Sequence, residues 1–513
     1  MAAKVLALRI RPVPLLGEGV SFLPDLLLKL TIKNKPMKES RETRYTKTSL
    51  RSCSQWQKAL NSDGLKTPTY LSHSASLTGV SARQASVARS SGMFFRHALS
   101  MLRLFWLTSA ICINAADPNP GERVSIDEDM TVYKSTEASG VVAALRHRLD
   151  SGDSQLEYKQ AHGYLESLLE ELRVSASSQL LVASRTSANH DLISPQNPRA
   201  LYFNSAVQVA YVPGANLIEI AANDPKLGVV FYTLEQKPVP KPRVTRDNRC
   251  LECHASSKTL NVPGLIVRSF LTKDGGEVDL LSGITVNHRT PIADRWGGYY
   301  VTGSHGAQAH RGNAFGPDAI GRLRNDPTAN GNILKLDSFL DTSKYPSPGS
   351  DIVPLMVLEH QAHMQNLLTR LSFENRQVRE NNGNVRSIYP AVEAVLKYLL
   401  FVEEQHLIAP VKGTSHFTEW FQTQGPRDSQ GRSLYDLDLE DRLFKYPCSY
   451  LIYTDTFDAI DVPGRRHLYR RLWQVLTGED QSASYRNIPP ATKQAIREIL
   501  AGTKAGLPAY WRL

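Results

Sequence analysis

From about residue 139 to residue 173 the apolar positions recur at helical spacing. Val141, Val142, Leu145 and Leu149 form one stripe, and Tyr164, Leu165, Leu168, Leu169 and Leu172 form another. Ser151-Gly152-Asp153-Ser154 separates them, so two helices are predicted, and Ser194-Pro195-Gln196-Asn197-Pro198 marks a boundary after them. The rhythm then changes. Ala200–Val212 is aromatic and β-branched and stops at Pro213-Gly214; Leu217–Ala221 and Gly228–Glu235 follow as further strands. Lys237–Arg243, with three prolines, reads as a linker. Gly264–Leu271 and Glu277–Leu281 flank Lys273-Asp274-Gly275-Gly276 as a hairpin, and Gly298–Thr302 reads as one more strand. Helical periodicity returns near 351–374, 387–402, 464–477 and 490–503. Ser350 or Asp351 would cap the first of these, and Pro354 is tolerable there because it falls in the first turn. The pattern predicts an α+β protein: an N-terminal helical region (117–193), a strand-rich unit (194–330) and a helical C-terminal region (331–513).

Candidate chemistry concentrates in the strand-rich unit. Cys250-Leu251-Glu252-Cys253-His254 reads Cys-x-x-Cys-His, the attachment signature of a c-type haem. Two thiols one helical turn apart can each form a thioether to one porphyrin edge, and the following histidine supplies the proximal nitrogen to iron. With five Cys in the chain, chance produces this motif in roughly one such sequence per thousand. A thiol pair used for redox chemistry or zinc is the alternative. His360-Gln361-Ala362-His363 could complete a Cys2His2 set with Cys250 and Cys253, but roughly a hundred residues separate the halves, which zinc-module spacing does not support. No second such motif occurs, so one covalently attached haem c is expected.

Haem attachment of this kind takes place outside the cytoplasm, so an export signal is expected. Met93-Phe94-Phe95-Arg96-His97 is a short basic start, Leu104–Ala116 an apolar run ending in small residues, and Asp117-Pro118-Asn119-Pro120 breaks the pattern. Residues 93–116 therefore read as a signal peptide, too short to span a bilayer, with translation starting at Met93 or Met101. Residues 1–92 read as an upstream extension outside the native protein. Charge agrees: residues 1–116 hold 17 Lys+Arg against 5 Asp+Glu, which leaves the remainder at a net charge of −2 although the whole chain is at +10. The basic excess is therefore not read as affinity for nucleic acid or membrane. An exported, periplasmic protein without a transmembrane helix is expected. Of the cysteines after residue 116 only Cys448 lies outside the motif; it reads as a buried thiol, with an iron ligand as the alternative.

The second axial position decides what such an iron does. Met356, His360, His363 and Met364 fall at i, i+4, i+7 and i+8 of one predicted helix, hence on one face. His360 is the favoured sixth ligand, with His363 and Met356 behind it; ordinary core packing is the bland reading of the same stripe. A competing cluster is His288, His305 and His310 in a Gly-rich stretch, where His305 could serve an open iron site as ligand or distal acid–base group. Trp296-Gly297-Gly298-Tyr299-Tyr300 offers aromatic surface, and Arg289 and Arg295 could pair with haem propionates.

Several stretches resemble bacterial secreted proteins that carry a cytochrome-c domain with a single Cys-x-x-Cys-His motif. They are Asn197–Asn204, Gly228–Gln236, Arg249–Ser256, Asp294–Gly306, Leu355–His360 and Arg442–Tyr453. The resemblance implies haem binding through Cys250, Cys253 and His254, and says nothing firm about partner or substrate. The function expected is one-electron transfer between redox partner proteins. A peroxidase- or reductase-like enzyme with an open iron site, or a haem-based sensor, is the alternative.

Overall fold

The computed structural model describes residues 132–511. The expected upstream extension and signal peptide lie outside the described residues. The chain is α+β: a six-stranded antiparallel sheet followed by a helical C-terminal half.

Two helices open the described region, α1 (Val141–Ser151) and α2 (Leu165–Glu171), where the two apolar stripes predicted them. Gly152 ends α1 in the left-handed conformation at φ 87°, which a residue with a Cβ adopts only at a cost. The sheet is a meander in chain order: β1 (Leu180–Val182), β2 (Arg199–Phe203), β3 (Val207–Tyr211), β4 (Leu217–Asp224), β5 (Gly228–Glu235) and β6 (Val244–Arg246). Ala200–Val212 is therefore two strands and not one. Asn204 makes the turn, its Oδ1 accepting from the N–H groups of Ala206 and Val207.

The two faces of this sheet differ. Tyr202, Val209, Ile220 and Tyr232 stand opposite one another across four strands and are 0–2 % exposed. Helix α1 packs on β4 here, and Arg146 reaches over the Tyr232 ring. The alternate residues form the second face. There Phe203, Val229 and Phe231 are buried, but Leu201, Gln208, Ala210, Glu219, Ala221 and Thr233 are only partly covered.

After β6 comes a single helical turn, α3 (Leu251–His254), then a small ladder of β7 (Arg268–Ser269) and β8 (Ile284–Thr285). The predicted turn at Lys273–Gly276 is present, with Lys273 N–H donating to the Glu277 carbonyl. The return strand is not Glu277–Leu281, however; only Val278 bridges back, to Thr272, and regular pairing waits for Ile284. Asp279 explains this, because its side chain caps a short helical turn at Leu280–Ser282 and draws the backbone out of the ladder. Gly298–Thr302 is likewise not a regular strand. Tyr299 makes one bridge to Val182, but Gly298 and Gly303, at φ 86° and 154°, bend the chain away at both ends.

The C-terminal half is built on α5 (Ile352–Glu380), which follows a short α4 (Gly316–Asn325). Asp351, one of the two predicted caps, accepts from Val353 N–H at 2.9 Å, and Pro354 sits in the first turn as expected. Ile352–Ala362 is buried on every side, so this half of α5 is a central core helix. Around it lie α6 (Tyr389–Leu399), α7 (Phe417–Gln422), α8 (Val462–Leu476) and α9 (Pro490–Thr503). Helix α5 also meets the sheet: Gln361 and Gln365 donate to the carbonyls of Asn204 and Ser205. One hydrophobic core runs through all three predicted regions, from Tyr133 to Trp511. Among the described residues no helix is long and apolar enough to cross a membrane.

Candidate functional site

The Cys-x-x-Cys-His segment leaves β6 through Asp247. The Asp247 carboxylate accepts from Arg249 N–H and ion-pairs with the Arg249 guanidinium, which starts a short helical turn running directly into α3. Leu251, 5 % exposed, anchors that turn in the core and leaves Cys250 partly buried and Cys253 exposed. The next loop folds back over the motif: Gly264 N–H donates to the His254 carbonyl at 2.9 Å. Asn366 on α5 pins the loop, accepting from Leu265 N–H and donating to the Leu265 carbonyl as a strand partner would. Gly264 has to be glycine, since a Cβ there would come within 2.3 Å of Asn366 Oδ1.

His254 sits against the Phe231 ring, centroids 4.8 Å apart, at the edge of the second sheet face. Its Nδ1 lies 2.9 Å from the Gly264 carbonyl oxygen. A carbonyl only accepts, so Nδ1 carries the proton and Nε2 keeps its lone pair. Nε2 has no hydrogen-bond partner among the described residues. Burial lowers the proton affinity of the ring below that of an ordinary imidazole; the Gly264 carbonyl opposes this and the nearby charge of Arg199 adds to it. The ring is therefore a neutral imidazole with one nitrogen fixed and the other available, which is what a metal-ligating histidine requires.

Cys250 behaves differently. Burial, with Asp247 and Glu219 nearby, pushes its thiol up to about 12. Redox dithiols depend on a stabilised thiolate, so this environment speaks against a dithiol centre. A Cys2His2 zinc set does not form either: among the described residues no group of three or more His, Cys, Asp or Glu side chains is placed to hold a metal ion. The residues fit a c-type haem better. The thiols share one helical turn with an imidazole whose Nε2 is free, beside a partly uncovered sheet face. On that face Arg199 Nε and Gln208 Nε2 are buried donors without partners.

The remaining predicted residues lie elsewhere. His360 is fully buried and both its nitrogens are engaged: Nδ1 lies 2.9 Å from His288 Nδ1, and Nε2 lies 2.7 Å from Ser449 Oγ. Two groups of histidines far apart in the sequence thus meet in one aromatic stack, in which Tyr398 lies 3.9 Å from His288 and Phe401 4.3 Å from His360. Asn366, the α5 residue that meets the motif loop, is six positions beyond His360, about 9 Å along the axis and about 120° around it. The face of α5 that meets the motif is thus not the face that carries His360. His363 lies beside Tyr398 at 4.7 Å, and Met356 and Met364 are core residues. His305 lies 3.2 Å from His310 and 2.9 Å from the Gly331 carbonyl through the same Nε2.

The arginines expected at haem propionates are committed internally. Arg295, 3 % exposed, donates to the carbonyls of Thr290 and His288 and pairs with Glu359 at 3.1 Å. Burial raises the Glu359 carboxyl to about 7, with Arg295 and the neighbouring Trp296 indole opposing the shift. Arg289 donates to the Val402 carbonyl and covers the Tyr398 ring. Cys448 is fully buried, as expected, and burial raises its thiol. Sequence reasoning missed Gly264, Asn366 and Arg199. Only Arg199 left a signal, as a charge sharing its strand alternation with the apolar Leu201 and Phe203. In comparison with known proteins, no protein-family model, no curated protein and no solved structure matches the chain.

Proposed function

We propose that this chain is an exported monohaem c-type cytochrome that passes one electron between redox partner proteins. The observation that carries the reading is the state of His254. Its Nδ1–H is fixed on the Gly264 carbonyl, its Nε2 is free, and it shares one helical turn with Cys250 and Cys253. Bound haem supplies the one-electron chemistry. Cys250 and Cys253 would hold the group through their sulfurs and His254 Nε2 would supply a nitrogen ligand, with the hydrogen bond to Gly264 orienting the ring and raising its basicity. Leu251 and Phe231 exclude water from the proximal side.

A second reading is favoured by one observation: His360, the sequence-preferred sixth ligand, has both nitrogens occupied. That supports an open iron site, hence a peroxidase- or reductase-like enzyme or a sensor. Two spectra test these readings on protein exported from a host with haem-attachment machinery. A pyridine haemochrome should report one covalent haem per chain; a colourless product removes both readings. Sharp low-spin bands that ignore carbon monoxide support the carrier, whereas a high-spin spectrum that shifts with it supports the open site.

A further inference from the structure

The second face of the sheet carries a guanidinium without a partner. Strand register puts Arg199 on the same side as Leu201, Phe203, Gln208, Ala221 and Phe231. Phe231 is the residue that touches the His254 ring. Arg199 stands at the far corner of this face, three strands from Phe231 and four residues along from Phe203, which is level with it. At about 4.8 Å per strand and 3.3 Å per residue, the two corners are about 14 Å apart across the strands and about 13 Å apart along them. Between them β3 presents Ala210 and Gln208 and β4 presents Glu219 and Ala221, all partly uncovered, with the two alanines on the diagonal and Leu201 on β2 beside them.

The Arg199 side chain makes no hydrogen bond and no ion pair with any described residue, and its Nε is buried. A carboxylate is present on the same face, yet it does not take the role: Glu219 accepts from Ala188 N–H at 2.9 Å. Leaving a half-buried guanidinium unpaired costs free energy that a bidentate carboxylate would recover. The charge of Arg199 nevertheless reaches the site, because it is felt both at His254 and at Tyr299. The other arginines nearby have partners: Arg295 has Glu359 and two carbonyls, and Arg268 donates through Nη2 to the Gly283 carbonyl and covers the Phe270 ring, although its Nε, like that of Arg199, is buried without a partner.

Resting on the haem reading above, we propose that Arg199 is the anion-binding residue of the site, and that its guanidinium receives a propionate carboxylate of the porphyrin tethered at Cys250 and Cys253. The tether fixes one porphyrin edge at the β5–β6 side, and the macrocycle lies over Ala221 and Ala210 with its carboxylates toward β2. Gln208 Nε2, another buried donor without a partner, lies on the same face, level with Phe203 and so about 13 Å along the strands from Arg199.

The test uses the full chain carrying covalent haem, as wild type, Arg199→Gln and Arg199→Lys. Thioether content by pyridine haemochrome should be equal in all three, because the tether does not involve Arg199. Removing the positive charge leaves the propionate uncompensated and favours the oxidised form. Arg199→Gln should raise the oxidised-to-reduced ratio at fixed solution potential by about tenfold, a fall of ~59 mV for one electron. It should also add a propionate step to the dependence of the potential on pH. Arg199→Lys keeps the charge but loses the fork, so its potential should move less while the propionate bending band in the resonance Raman spectrum shifts. A potential and pH profile of Arg199→Gln superimposable on wild type would overturn the proposal. Should Arg199→Gln not accumulate, an unshifted propionate band in Arg199→Lys overturns it equally. Wild type without covalent haem defeats the haem reading itself, an outcome the first haemochrome distinguishes from failure at Arg199 alone.

Discussion

His254 and the His288–His360 pair are built from the same side chain and held in opposite settings. His254 is partly buried, with one nitrogen fixed by a carbonyl and the other unclaimed. His288 and His360 are sealed among Tyr398, Phe401 and Tyr450, with their Nδ1 atoms 2.9 Å apart and His360 Nε2 held by Ser449. Neighbouring methionines and a shared helix face do not make a ligand. A ligand requires an accessible nitrogen with an unclaimed lone pair; His254 Nε2 has one, whereas His288 Nε2, also without a partner, is sealed in the core. The pair serves instead as a polar tie inside the helical core, linking α5, the loop at His288 and the turn at Ser449.

The contrast breaks most sharply under substitution at His254. His254→Ala should leave both thioethers, and so the covalent pigment, but remove the proximal nitrogen. The expected result is retained colour with loss of the low-spin bands in the absorption spectrum, and partial return of those bands with added imidazole. An unchanged spectrum would place the proximal ligand elsewhere.

His360→Ala should do the reverse. It opens a cavity and strands His288 and Ser449, so a loss of about 3 kcal/mol in denaturant unfolding is expected. The haem spectrum should stay as in wild type. A change of spin state in a variant that remains folded would restore His360 as an iron ligand.

The dependence of stability on pH sharpens the same comparison. Burial lowers the proton affinity of His288 and His360, the latter to about 3. Unfolding frees such a histidine to take up a proton near its ordinary 6.5. Its contribution is therefore complete above about 6.5 and is lost as pH falls toward 3. Glu359, raised to about 7, works the other way: its neutral form suits the fold, and its contribution declines as pH rises from about 4.5 to 7. The denaturant midpoint should climb between about pH 4 and 6.5. Replacing His360 with Gln should flatten that climb, and replacing Glu359 with Gln should steepen it. A midpoint indifferent to pH in this range would mean that the histidines are not held neutral.

These contrasts show where the sequence speaks and where it is silent. The long helices were legible because apolar periodicity sustained over ten or more residues seldom arises except from an amphipathic face; α5, α6, α8 and α9 lie where it predicted them. Strand β4 was legible by alternation at period two, and β5 as a continuous apolar and β-branched run. Strands β1 and β6, three residues each, are too short to carry a pattern. The Cys-x-x-Cys-His motif is legible as a spacing, and the haem proposed for it rests on that spacing. The engagement of both His360 nitrogens was not legible, because it depends on partners such as Ser449, 89 positions away from His360. The same holds for Asn366 and Leu265, 101 positions apart, and for the isolation of Arg199, which exists only once the strands are in register.

The smallest effect expected tests the two faces of the sheet directly, using adjacent alanines of β4. Ala222 lies on the closed face between Val207 and Val230 and is 2 % exposed; Ala221 lies on the open face between Gln208 and Phe231 and is partly exposed. Ala222→Leu forces three extra carbons into packed core and should cost about 1–3 kcal/mol. Ala221→Leu projects them over a partly uncovered surface, so its cost without haem should stay within about 0.5 kcal/mol. With haem the order changes. A leucine at 221 occupies the surface on which the macrocycle is proposed to lie, so the yield of covalent haem should drop for Ala221→Leu and hold for Ala222→Leu among molecules that fold. Equal stability costs at the two positions would show that the second face is as tightly covered as the first, and would take from Arg199 and from the tethered porphyrin the ground they are proposed to share.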